Sequence, residues 1–128
     1  MSAFSLFHRL KSFRHAFRGA VTLLRTQHNA WLHAVATALV VAAGLFLHVS
    51  RIDWALLLVA IALVWIAEAL NTAIEFLADE ITMEKRERIK HAKDIAAFGV
   101  LISACVAVAI GSIVFAPHFC LLPLLRSW

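Results

Sequence analysis

Residues 54–79 read WALLLVAIALVWIAEALNTAIEFLAD, a run long enough to cross a bilayer as a helix, yet it carries an acid, Glu68, after fourteen uncharged residues. A carboxylate toward the centre of a membrane helix costs about 2.5–3.5 kcal/mol on insertion scales, so such a residue marks a proton relay, an ion site or catalysis. Asn71, Glu75 and Asp79 follow Glu68 at offsets of three, seven and eleven. At about 100° per residue the four positions fall within roughly 80° of one another, a narrow polar stripe on an apolar helix.

Working outward, the whole chain reads as a membrane protein. Of its 128 residues, 62% are hydrophobic and only 16% charged, and the mean hydropathy is +0.85. Three runs carry most of the apolar content: residues 31–49, 54–78 and 95–116. Spanning takes about 20 apolar residues as a helix, so all three qualify, the first with least margin. No run alternates as a barrel strand does, and an open sheet leaves edge groups unsatisfied in lipid, so the expected fold is all-α. The chain is expected to form one domain over 1–128. A chain this small cannot line a wide aqueous site alone, so oligomerisation is expected.

The twelve Lys and Arg residues set the expected topology. Five precede the first span (Arg9, Lys11, Arg14, Arg18, Arg25), five lie between the second and third (Lys85, Arg86, Arg88, Lys90, Lys93), and Arg51 and Arg126 remain. Basic residues stay on the cytoplasmic side, so the N-terminus and the 79–93 loop belong inside, and the Arg51 turn and C-terminus outside. The Asp79 end of the stripe then lies beside the cytoplasm, where nucleotides are available.

The first thirty residues lack the apolar core of a cleavable signal peptide. Phe4, Phe7, Leu10, Phe13, Phe17, Val21 and Leu24 recur every three or four residues among basic ones, as in a helix lying in the headgroup layer over about 4–27. Arg14 interrupts the apolar arc, and a plain polybasic flank is the alternative. Gly99, Ser103, Ala107 and Gly111, like Ala34, Ala38 and Ala42, recur every four residues, a helix-packing signature. Cys105 and Cys120 form neither a metal spacing nor a disulfide framework. His33 and His48 sit near the two ends of the first span, where a neutral imidazole more often meets the interface than a ligand. Trp31, Trp54 and Trp65 read as anchors or packing.

Glu68 and Glu75 are about 10.5 Å apart along a helix axis, too far to clamp one ion together. Different tasks follow. The deeper Glu68 suits a proton acceptor, Glu75 a hard cation such as Mg²⁺, and Asn71 can orient either. The segment EKRERIKHAKD, residues 84–94, offers cations to a triphosphate, although charge alone favours a solvated inner loop. No Walker loop, glycine-rich kinase loop or HRD motif occurs, and nothing calls for a nucleic-acid partner.

Glu68-Ala-Leu-Asn-Thr-Ala-Ile-Glu75 with Asp79, followed by Ala92-Lys93-Asp94, resembles the signature of the prokaryotic diacylglycerol kinase and undecaprenol kinase family. The resemblance runs from Phe13-Arg14-His15-Ala16-Phe17-Arg18-Gly19 to the end of the third span. It implies an amphipathic surface helix before three transmembrane helices, a homotrimer with sites shared between protomers, and a multi-pass protein of the bacterial inner membrane. The implied reaction is transfer of the γ-phosphate of MgATP to a lipid hydroxyl. By position, Glu68 resembles the catalytic base, Asn71 its support and Glu75 a magnesium ligand. Glu84, Lys85, Arg86, Lys93 and Asp94 resemble the nucleotide contacts.

Two positions depart from that pattern. Gln27 stands where the family commonly has a second metal-binding Glu, and an amide holds Mg²⁺ more weakly than a carboxylate. His15 stands where a Tyr often packs at the nucleotide, and His8 or Arg9 near a usual Arg. No residue identifies the lipid. Gln27-His28-Asn29 with His33, and the turn His48-Val49-Ser50-Arg51-Ile52-Asp53, look closer to the undecaprenol branch than to the diacylglycerol branch. The competing class is a non-catalytic membrane subunit or an ion or proton pathway, and an inactive relative of the kinases is a third option.

Overall fold

The computed structural model describes the backbone of residues 6–125 and the side chains of residues 11–118. Four helices follow one another: α1 (Leu6–Thr26), α2 (His28–Phe46), α3 (Arg51–Ile81) and α4 (Glu87–Leu125). Among the described residues there is no strand, and α2, α3 and α4 are each long and apolar enough to cross a membrane. This is the expected all-α architecture, and Leu6–Thr26 falls within the surface helix read over 4–27.

The boundaries of all three spans differ from the sequence reading. α2 begins and ends three residues before 31–49, α3 runs three residues beyond 54–78 at each end, and α4 runs past 116 to Leu125, while residues 87–93, read as loop, form its start. Charge marks where hydrocarbon stops; it does not mark where a helix stops. Ile89, Lys93 and Ala96 are half-buried at helical spacing, so the inward face of α4 continues through its charged end, and Glu87 in the first turn complements the helix dipole. Only residues 82–86 are left to connect α3 and α4.

The α2–α3 turn is closed by local chemistry. Ser50 caps α3 in a capping box with Asp53: the Asp53 N–H donates to Ser50 Oγ at 3.2 Å and the Ser50 N–H to Asp53 Oδ2 at 3.2 Å. Such a box satisfies two helix-end donors at once. α2 stops because His48 takes a left-handed conformation (φ 51°), letting the Val49 N–H reach back to the Gly44 carbonyl at 3.2 Å, the six-to-one bond of a Schellman ending. Just before it, the Trp54 indole lies against Gly44, where a Cβ would come within 2.9 Å of the ring.

The tight turn sets the antiparallel register of α2 and α3. Trp65 Nε1–H donates to Thr37 Oγ1 at 3.1 Å, and one turn along, His33 faces Glu68; four residues back on α2 match three forward on α3. On the other side, Lys93 of α4 donates to Asp79 of α3, while Leu57 and Val114 meet with Val49 in the apolar core near the opposite end. The inner face of α4 follows the helical period through Lys93, Ala96, Val100, Ser103, Ala107, Ile110 and Val114. The row read as one packing stripe does not all face one way: Gly99 is exposed whereas Ser103 is buried. Successive steps of four rotate about 40° each, so a row of four positions wraps about 120° around the helix.

α1 meets the bundle near its C-terminal end, where Leu23 is buried. Ala16, Gly19 and Ala20 are exposed and border an open groove whose other wall is Trp65, Ala69, Thr72 and Phe76 of α3; Phe13 and Phe17 are exposed as well, as suits side chains placed in a lipid surface. Phe4, Phe7 and Leu10 of the expected apolar arc lie outside the described side chains.

Candidate active site

The middle of the bundle is polar. Glu68 is 1% exposed, and Asn71, Thr72 and Ser103 are also buried. Ser103 is satisfied, its hydroxyl donating to the Val100 carbonyl at 2.7 Å. The others are not. Among the described residues, His33 Nε2, Glu68 Oε2, Asn71 Oδ1 and Thr72 Oγ1 are buried side-chain polar atoms with no hydrogen-bond partner. Each such atom costs about 1–3 kcal/mol if nothing meets it, and native interiors rarely tolerate several together without a functional reason. Three of the four lie on α3 within five residues, and His33 faces the first of them across the α2–α3 interface.

One turn beyond Glu68, the Asn71 Nδ2–H donates to Glu75 Oε1 at 2.9 Å. Of the two acids Asn71 could orient, Glu75 is the one it bonds. The amide spends a donor on the carboxylate and keeps its own oxygen unpartnered, so Asn71 Oδ1 and the half-buried Glu75 are neighbouring oxygen atoms. Among the described residues no group of three His, Cys, Asp or Glu could hold a metal unaided. Two protein oxygens instead suit Mg²⁺, which commonly binds through one or two carboxylates together with substrate phosphates and waters. Gln27 is the single residue between α1 and α2. It occupies the N-cap of α2 in extended conformation (φ −110°, ψ 117°), and its side chain makes no capping bond.

At the end of the stripe the charged residues come together. Asp79, Glu84, Lys85, Arg86, Lys93 and Asp94 line one open cleft of about 740 Å³ between the ends of α3 and α4, within the range of small-ligand sites. Lys93 Nζ donates to Asp79 Oδ1 at 2.8 Å, and Arg86 pairs with Glu84 at 3.4 Å. The Glu84 N–H donates to Thr82 Oγ1, which shapes the turn. The helical start of α4 is what turns Lys93 and Asp94 into this cleft. His15, by contrast, is exposed on α1 and is not among the residues lining it.

Sequence reasoning passed over His33. The Nε2 of His33 stands 3.6 Å from Glu68 Oε2, and the ring meets Trp65 edge-on with centroids 6.5 Å apart. The signal available in the sequence was a histidine inside the first span one helical turn before Thr37. What was missing was the antiparallel register that aims it at Glu68.

A helical membrane protein with three spans, a buried acid, an amide-supported second acid and a charged cleft at the stripe's end has the parts of a membrane-embedded enzyme acting on a charged ligand. Residues 14–115 match the prokaryotic diacylglycerol kinase family, and this chain belongs to it. It is 38% identical over 107 residues to an undecaprenol kinase of Bacillus subtilis, covering 84% of this chain and 87% of that one. It is 38% identical over 109 residues to a diacylglycerol kinase of Synechocystis, covering 84% and 62% respectively. A diacylglycerol kinase of Escherichia coli is 40% identical over 85 residues, 66% of this chain and 70% of that one.

Proposed function

We propose that this chain, an ATP-dependent lipid kinase by family, transfers the γ-phosphoryl group through Glu68 as general base, within one domain spanning residues 1–128. The lipid's primary hydroxyl oxygen forms a bond to the γ-phosphorus as the bond from that phosphorus to the β,γ-bridging oxygen breaks. ADP leaves, and the hydroxyl proton passes to Glu68. The observation that carries this assignment is a carboxylate buried in a membrane span with an unpartnered oxygen, the expected state of a base whose partner is a substrate proton. Asn71 holds Glu75 in place, and these two would hold Mg²⁺, with Gln27 as a weaker third contact. Bound there, Mg²⁺ would neutralise charge on the phosphates. Lys85, Arg86 and Lys93 supply positive charge at the cleft, with Glu84 and Asp94 beside them, an arrangement that favours phosphoryl transfer by electrostatic complementarity.

The charge bias favours the cleft facing the cytoplasm of a bacterium, with the protein in its inner membrane, the N-terminus inside and the C-terminus outside. A homotrimer is supported by the outer face of α4, where Phe98, Leu101, Val108 and Ile113 are exposed and nothing lies within 4 Å of a Cβ built on Gly99, leaving room for the close approach of another helix. As lipid we favour undecaprenol over diacylglycerol, because the undecaprenol kinase relative is matched over 87% of its length and the 48–53 turn resembles that branch. A non-catalytic subunit or an ion pathway does not account for the family match.

The test is incubation of the purified protein in lipid with labelled ATP, Mg²⁺ and each candidate lipid. Labelled lipid phosphate forms with the wild type and is abolished in Glu68→Gln. Turnover of Glu68→Gln within threefold of wild type removes Glu68 as the base, and faster labelling of diacylglycerol than of undecaprenol reverses the lipid preference.

A further inference from the structure

We infer that His33 is a substrate-orienting residue: its Nε2–H holds the lipid hydroxyl while Glu68 takes the proton. The inference rests on Glu68 being the base. His33 Nε2 and Glu68 Oε2 are 3.6 Å apart, both buried and both without a hydrogen-bond partner. That separation is too long for a good direct bond. One oxygen beside the pair can reach both: about 2.8 Å from each atom, it closes the triangle at an angle of about 80°, which a slight parting of the two side chains opens toward tetrahedral. Such a hydroxyl accepts from His33 Nε2–H and donates to Glu68 Oε2, so a single group satisfies both orphaned atoms and its remaining lone pair is free to attack phosphorus.

Among the described residues His33 Nε2 has no hydrogen-bond partner. His33 also borders a cavity of about 170 Å³ lined mostly by apolar residues, among them Ala36, Val40, Leu57 and Ala60. Trp65 fixes the ring edge-on, and is itself fixed by its hydrogen bond to Thr37. The imidazole is thus held by α2 and α3 together, and Glu68 is the charged group it faces. The register that sets the hairpin also sets the angle at which a hydroxyl is presented.

The test compares three substitutions at 33 in the purified, lipid-embedded enzyme, with Glu68→Gln alongside. Glutamine carries an N–H donor at similar reach; asparagine carries the same donor on a shorter arm; leucine fills the space with no donor. His33→Gln is expected to keep kcat within about fivefold of wild type, and His33→Asn and His33→Leu to lose about 100-fold, the usual consequence of a nucleophile displaced by about 1 Å. The KM for ATP stays unchanged in all three, which also reports that the nucleotide cleft is folded. The inference is overturned if His33→Leu or His33→Asn retains kcat within threefold of wild type, or if His33→Gln falls as far as His33→Leu. If Glu68→Gln remains active, the base assignment itself fails. If Glu68→Gln is inactive and every variant at 33 is near wild type, only the role of His33 fails.

Discussion

Replacing Asn71 by alanine separates a catalytic role for the stripe from a structural one, because the two atoms of this amide have opposite effects. Asn71 Nδ2 donates at 2.9 Å to the half-buried Glu75 carboxylate, and hydrogen bonds to charged groups contribute about 1.5–3 kcal/mol. Asn71 Oδ1 is buried without a partner, a deficit of about 1–3 kcal/mol that truncation relieves. The folded protein therefore loses and gains similar amounts, and its thermal midpoint moves little. Catalysis has no such offset. If Glu75 is held for the metal by this amide, the lost bond appears in the transition state as about a 10- to 150-fold fall in kcat/KM, with a higher Mg²⁺ concentration needed for half activity. The assay is transfer of labelled phosphate to lipid across a Mg²⁺ series, paired with thermal unfolding in the same detergent. An Asn71→Ala enzyme with activity within twofold of wild type, or one that loses activity only in proportion to unfolding, refutes the support of Glu75 as a functional contact.

Gln27→Glu restores a carboxylate at the α1–α2 junction and is expected to lower the Mg²⁺ concentration for half activity, whereas an unchanged Mg²⁺ titration removes residue 27 from the metal's neighbourhood. Lys93→Met takes a cation from the cleft shared with Arg86 and should raise the KM for ATP about tenfold while leaving that for lipid alone; equal changes in both KM values point to a distorted bundle instead. Gly44→Ala drives a methyl to within 2.9 Å of the Trp54 ring, so the hairpin must shift at a cost of about 1–3 kcal/mol, read as a lower thermal midpoint. An unaltered midpoint would mean that the indole moves aside freely.

The residues of the site were legible unevenly. Glu68, Asn71 and Glu75 stood out because polar groups are rare in a span and their spacing matched one helix face. Periodicity needs no tertiary information. The cleft residues were named through resemblance, while their surroundings were misjudged: charge suggested a loop at 79–93, where α4 has already begun at Glu87. His33 was read as an interface histidine and as part of the likeness to the undecaprenol branch, not as a neighbour of Glu68, since sequence spacing carries no account of which residues two antiparallel helices bring level.

What the sequence by itself determined was an all-helical membrane protein with one polar stripe, since hydrocarbon forbids unpaired backbone and a twenty-residue apolar run has no other stable form there. The tertiary structure decided who meets that stripe. A four-residue turn after α2, closed by Val49 reaching back to Gly44 and by the Ser50–Asp53 cap, fixes the register that puts His33 opposite Glu68. The α3–α4 turn likewise brings Lys93 to Asp79. These pairings follow from how two helices slide to pack their side chains, an outcome set by contacts between segments rather than by the pattern within either one.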